Sequence, residues 1–143
     1  MWRIEFTSTK FLPILPEECQ ANPGAYGFEL ALWLAEALAK RGVITSYPLG
    51  EDLGWLIEFT DSEGVEFTIG CSSLSKYEEG YSGQPINWSI FIKPYTSLKE
   101  RFKGVTHKSA VEQLGQNIIE ALQSVQIRAE HAAMRICGRA NEG

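Results

Sequence analysis

Cysteine and histidine are scarce in this sequence of 143 residues. The three cysteines, Cys19, Cys71 and Cys137, lie far apart without a CxxC pair, and the two histidines, His107 and His131, belong to no HxxxH or HExxH pattern. Disulfide frameworks and metal sites in small proteins use such residues at short, regular spacings. We therefore expect reduced thiols, no metal and no cofactor.

Long apolar runs are also missing. The longest strongly apolar stretch, from Phe28 to Ala39, is interrupted by Glu29 and Glu36, and it falls short of the roughly 20 residues that cross a bilayer. The N-terminal residues lack the basic start and apolar block of a secretory signal. The sequence therefore predicts a cytoplasmic protein without a membrane partner.

Cations are outnumbered, with 13 Lys and Arg against 18 Asp and Glu and a formal net charge of -5. Affinity for a phosphate backbone comes from Lys and Arg, so we expect no nucleic-acid partner. The motifs GxSxG, GxxxxGK[ST] and GxGxxG, typical of nucleophilic and nucleotide-binding sites, do not occur. These absences favour a non-catalytic protein.

Periodicity predicts a single α+β domain over residues 1–143, with 138–143 as a frayed tail. Alternating apolar residues predict strands at 2–8, 55–60, 65–71 and 86–92, with a short edge strand or bulge at 43–47. Apolar residues at helical spacing predict helices at 24–41, after an Asn22 N-cap, and at 107–133, with a Ser109–Glu112 capping box. The expected architecture is a two-layer sandwich, in which two helices cover one face of a mainly antiparallel sheet of four to five strands in the order β-α-β-β-β-α.

The same periods predict which side chains form the core. On the sheet these are Trp55, Ile57, Phe59, Phe67, Ile69, Trp88 and Ile90, and on the helices they are Leu30, Trp33, Leu34, Leu114, Ile118 and Leu122. Inward positions of a strand and of a helix have to meet when the two elements form adjacent layers.

Charge is segregated along the chain. Eight acids against one lysine give residues 51–79 a charge of -7, and residues 93–108 carry +4. Amphipathic and acidic side chains at the start of one predicted strand and in the long loop 72–85 are the candidate binding residues: Glu51, Asp52, Tyr77, Glu78, Glu79 and Tyr81. We also expect the Asp52 carboxylate to cap the turn that leads into this strand.

Three segments of the sequence are similar to segments of other proteins. They are the run from Asn22 to Gly27 followed by Leu30–Leu34, the run from Glu51 to Trp55, and Ile69–Cys71. They resemble a group of small uncharacterised bacterial proteins, some of them associated with toxin-immunity neighbourhoods. The resemblance implies a bacterial, immunity-like binding protein.

Two hypotheses follow. The first is a protein-binding domain, monomeric or homodimeric, whose acidic hairpin and loop recognise a basic protein partner. The second is a small-molecule-binding or hydrolase-like domain with a pocket near Glu51, Asp52 and the loop from Tyr77 to Tyr81. A flat acidic surface would favour the first hypothesis, and an enclosed apolar cavity with converging polar groups would favour the second.

Overall fold

Alternating apolar and polar residues form a five-stranded sheet. The computed structural model describes residues 1–22, 24–52, 54–75, 77 and 80–127. The strands are β1 (Trp2–Ser8), β2 (Leu49–Glu51), β3 (Gly54–Thr60), β4 (Glu66–Ser73) and β5 (Ile86–Pro94). All neighbours pair antiparallel in the order β1-β5-β4-β3-β2.

Helices cover one face of this sheet. The covering helices are α1 (Phe28–Lys40) and α3 (Lys108–Gln123). Between β5 and α3 lies a short helix, α2 (Leu98–Phe102), and a 3-10 turn spans Glu17–Cys19. Helix α1 packs on β3 and β4, and α3 packs on β5 and β1 and against α1. The predicted α+β class, with an antiparallel sheet beneath two long helices, is confirmed, and α2 was not predicted.

The core lies between the sheet and the two long helices, where the periodicity predicts it. Ten of the thirteen predicted core side chains are buried, and Trp33, Trp55 and Phe59 are partly buried and pack against the others. Trp88 and Ile118 have no exposed surface. The other face of the sheet carries the polar positions of the strands, such as Glu58 opposite Thr68.

Helix α1 begins four residues later than predicted. Asn22 does not cap it, because the chain first makes a tight turn in which the Ala25 N–H donates to the Asn22 carbonyl at 3.1 Å. Gly27 occupies the N-cap position. The predicted end is confirmed: Gly42 takes φ +85°, and the Val43 N–H folds back to donate to the Leu38 carbonyl at 2.9 Å.

Two further boundaries differ from prediction. The edge strand is Leu49–Glu51, not residues 43–47. Helix α3 ends at Gln123, because Gln126 takes φ +67° and the Ile127 N–H returns to the Leu122 carbonyl at 2.9 Å. The rest of the predicted helix, 128–133, and the predicted tail lie outside the described residues.

The predicted capping box at Ser109 and Glu112 does not form, since His107 is the N-cap of α3 in a left-handed conformation and its side chain makes no cap hydrogen bond. The capping box belongs to α2 instead. There the Glu100 N–H donates to the Ser97 hydroxyl, and the Ser97 N–H donates to the Glu100 carboxylate, each at 3.1 Å.

Candidate functional site

The strands separate the acidic residues into two groups at opposite ends of the sheet. Glu51 pairs with Gly54 at the start of β3, whereas the turn 61–64 follows the other end of β3. Seven residues of strand place these ends roughly 20 Å apart. We call the end at Glu51 the loop end, formed by 51–52, Ser73 and the described residues 74–75, 77 and 80–85, and we call the end at the turn 61–64 the hairpin end. The described acids of residues 51–79 therefore do not form one continuous surface.

At the loop end, the two described tyrosines of the candidate site are used in packing. The Tyr77 ring stacks on Tyr26 with centroids 5.7 Å apart, and the Tyr81 ring meets Tyr26 edge-on at 6.2 Å. Tyr26 is 1% exposed, and its hydroxyl donates to the Glu17 carboxylate. Burial, and then the hydrogen bond and negative charge of Glu17, raise the pKa of the Tyr26 phenol well above its usual range.

Gly24 fixes this loop against the turn that precedes α1. The Tyr77 N–H donates to the Gly24 carbonyl at 2.8 Å, and the Gly24 N–H donates to Glu17 Oε2 at 3.1 Å. A Cβ at position 24 would lie 2.7 Å from the Tyr77 carbonyl oxygen, and the glycine has φ +74°. Close approach and left-handed backbone together require glycine here.

Glu51 and Asp52 are exposed, and Glu78 and Glu79 lie outside the described residues. Among the described residues, no group donates a hydrogen bond to the Asp52 carboxylate, so the expected cap is not formed there. Asn22 holds the turn instead, because its side-chain amide donates a hydrogen bond to the Asp52 carbonyl. The structure thus gathers Glu51, Asp52, Tyr77 and Tyr81 at one end of the sheet without directing them at a common point.

The Asn22 contact predicts which side chain stabilises this turn. Replacing Asn22 by alanine should lower the free energy of unfolding by about 0.5–1.5 kcal/mol, because a hydrogen bond between two chain segments is lost. Asp52→Ala should change it by less than about 0.5 kcal/mol, since only an exposed carboxylate is removed. Urea unfolding of both variants checks this, and a larger loss for Asp52→Ala would restore its role as a cap.

The hairpin end presents four acids, which we call the acidic hairpin: Glu58, Asp61, Glu63 and Glu66. Asp61 shapes the turn, since its Oδ1 accepts the N–H groups of Glu63 and Val65 at 2.9 Å each. Glu58, Glu63 and Glu66 are exposed. Their negative charge therefore faces solvent beside a turn of fixed shape.

A surface groove of about 530 Å³ lies between this turn, the end of α1 and the first half of α3. We call it the hairpin groove. Its floor is apolar, with Val43, Phe59, Phe67 and Leu114, and its rim carries Asp61, Glu63, Ser109, Gln113 and Asn117. Sequence reasoning missed it, because the turn and α3 are about 50 residues apart in the chain and only the fold brings them together.

Arg41 is a cation at the α1 side of this region, and its charge is already paired. Its guanidinium contacts the Glu120 carboxylate, and its Nε donates to Asn117 Oδ1 at 3.1 Å. The acids on the groove rim are therefore not neutralised by Arg41.

Within residues 1–127, as far as they are described, no three His, Cys, Asp or Glu side chains group as metal ligands. No helix in that part is long and apolar enough to cross a membrane. Cys71 is buried, which raises the pKa of its thiol far above the usual range, and Cys19 is exposed. Cys137 and His131 lie outside the described residues.

No protein-family model matches this chain, and no curated protein or solved structure is significantly similar to it. The likeness to immunity-associated proteins therefore stays a prediction.

Proposed function

We propose that this protein is a non-catalytic binding domain for a basic protein partner, and that the hairpin groove is its contact site. The observation that carries the proposal is the combination of an apolar floor with the acidic residues Asp61 and Glu63 on the rim. Such a groove suits a cationic segment that also presents an apolar side chain. The apolar anchor supplies affinity, and the acids attract and orient the partner.

The acids on this rim suit recognition better than acid–base chemistry. Asp61 already accepts two backbone hydrogen bonds and keeps the turn in shape. Glu63 is exposed to solvent, where a carboxylate acts over a distance and is screened by salt. Binding through this surface should therefore be fast at low ionic strength and slower as salt is added.

The wider biological role belongs to the same proposal. An immunity protein acts by binding a toxin, so it needs a complementary surface and no catalytic group. A bacterial, cytoplasmic, immunity-like role with a basic toxin as partner is consistent with the acidic hairpin and with the resemblance of residues 22–71.

The loop end is a second contact region in this proposal. The candidate residues Glu51, Asp52, Tyr77, Glu78, Glu79 and Tyr81 would extend an interface beyond the groove, and a pocket for a small molecule would need space among them. Four surface grooves of the described residues are lined by side chains other than Glu51, Asp52, Tyr77 and Tyr81. We prefer the protein-binding hypothesis to the small-molecule one because the hairpin groove combines an apolar floor with acids on its rim.

A matched pair of charge reversals tests where the basic partner binds. The probe is a synthetic peptide with a phenylalanine flanked by lysines and arginines, titrated into isotopically labelled protein and followed by NMR at low and moderate salt. We expect shift changes at residues 61–67 and 109–117. Glu63→Lys should weaken binding by about 3- to 10-fold, because an attraction at the rim becomes a repulsion.

Glu51→Lys is the control, because it makes the same charge change at the exposed loop end. At moderate salt it should alter the affinity by less than about 2-fold, since roughly 20 Å exceeds the screening length of about 8 Å at physiological ionic strength. Equal effects of the two reversals would show nonspecific attraction and contradict the groove. A larger effect of Glu51→Lys would move the site to the loop end.

A further inference from the structure

The chain itself carries a segment with the chemistry that the hairpin groove fits. Residues 93–108, which we call the basic segment, join β5 to α3 and include α2. They contain five cations and a single acid, Glu100: the cations are Lys93, Lys99, Arg101, Lys103 and Lys108.

The one acid of the basic segment is occupied within it. Glu100 closes the capping box with Ser97, and its Oε2 lies 3.1 Å from His107 Nε2. The hydrogen bonds from Ser97, together with His107, lower the pKa of the Glu100 carboxyl. The Glu100 carboxylate is therefore engaged by contacts within the segment, and the remaining charged side chains of the segment are positive.

Apolar side chains project from the same segment. Leu98 is 80% exposed and Phe102 is 95% exposed, and residues four apart lie on one side of a helix. Helix α2 has no buried residue. Leu98 and Phe102 therefore form a small exposed apolar patch among cations, which a second molecule can cover.

The sheet places the basic segment beside the acidic hairpin. Both lie at the hairpin end, where the Tyr95 N–H donates to the Glu66 carbonyl at 2.8 Å. In the order β1-β5-β4-β3-β2, the segment leaves from β5 and the turn joins β4 to β3. Two copies that meet at this end can be related by a two-fold axis normal to the sheet. This rotation places β5 of one copy opposite the β3–β4 turn of the other. The basic segment of each copy would then face the acidic hairpin of the other copy.

We propose that the partner of the basic segment is a second copy of this chain, in which Phe102 enters the hairpin groove. Lys99 and Lys103 then face the acids on the groove rim. The two contacts are identical and mutually complementary, so the assembly closes as a dimer and does not continue as a filament. This inference rests on the proposed function, because it uses the same groove.

Sedimentation velocity between 1 and 300 µM, at low and moderate salt, tests the dimer. Phe102→Ala should raise the dissociation constant at least 10-fold, because the apolar anchor is removed. Ile14→Ala is the matched control: this side chain is 81% exposed and lies outside the basic segment. It should leave association unchanged. Equal thermal unfolding temperatures of both variants would show that folding is intact.

A charge exchange tests the pairing of the two surfaces. Lys103→Glu and Glu63→Lys should each weaken the dimer and reduce its sensitivity to salt. In the double variant the signs of the two facing surfaces are exchanged, so association should recover. Two mutations that merely damaged the fold would add their effects and would not compensate each other.

Wild-type protein that stays monomeric up to 300 µM would overturn the inference, and so would a dimer that tolerates both Phe102→Ala and Glu63→Lys. Peptide binding to a protein that stays monomeric would leave the proposed function standing without self-association. A dimer that both variants weaken, in a protein that does not bind the peptide, would support self-association and contradict the proposed external partner.

Discussion

Gly27→Ala is expected to lower the free energy of unfolding by more than about 3 kcal/mol. A Cβ at this position would lie 2.3 Å from the Cys71 carbonyl oxygen and 3.2 Å from Cδ1 of Trp55. The first of these atoms belongs to the backbone of β4 and cannot turn aside as a side chain can. Relieving the overlap therefore requires α1 to move away from the sheet, which opens the core and costs far more than an ordinary surface substitution.

Urea unfolding measures this loss, and Gly42→Ala serves as the control. Gly42 has φ +85°, but a Cβ there would meet nothing within 4 Å. Its replacement should cost about 1 kcal/mol through backbone strain alone. A loss for Gly27→Ala as small as that for Gly42→Ala would mean that the start of α1 does not approach β4 this closely.

Ile118→Ala should lower the free energy of unfolding by about 2–5 kcal/mol. The side chain has no exposed surface and lies in the core, so truncation removes apolar contact and leaves a cavity. Leu34→Ala on α1 should cost a similar amount for the same reason. Both helices should therefore contribute to one cooperative unfolding transition.

Denaturant unfolding checks this, with Gln116→Ala as the control on the exposed side of α3. That variant should differ from wild type by less than about 0.5 kcal/mol. A loss below about 0.5 kcal/mol for Ile118→Ala as well would show that the inward face of α3 is assigned wrongly.

Local patterns predicted the parts of the fold that local interactions determine. The strand from Trp2 to Ser8 and the left-handed end of α1 at Gly42 follow from alternation and from the freedom of glycine. Helix α2 was predictable too, because Ser97 and Glu100 have the spacing of a capping box. The same spacing at Ser109 and Glu112 forms no capping box, so the spacing alone does not tell which of the two pairs caps a helix.

Other errors came from contacts between distant parts of the chain. The run of Asn22, Pro23 and Gly24 has the composition of a helix start, yet Gly24 is needed for close approach to Tyr77. The end of α3 depends on a left-handed Gln126, a residue type that carries no such signal. The hairpin groove likewise depends on α3 lying beside a turn, which periodicity does not report.

The pairing of β1 with β5 also sets the order in which the chain can fold. Trp2 is opposite Ile92 and Ser8 is opposite Ile86, so the first strand pairs with residues about 80–90 positions later. Ribosomes add roughly 5–20 residues per second, so β1 waits on the order of 4–20 s before its neighbour exists. During synthesis, β1 with its apolar side chains Trp2, Ile4 and Phe6 therefore has no partner strand. The sheet is completed only by the pairing of β1 with β5, and strand pairings of such high sequence separation form slowly.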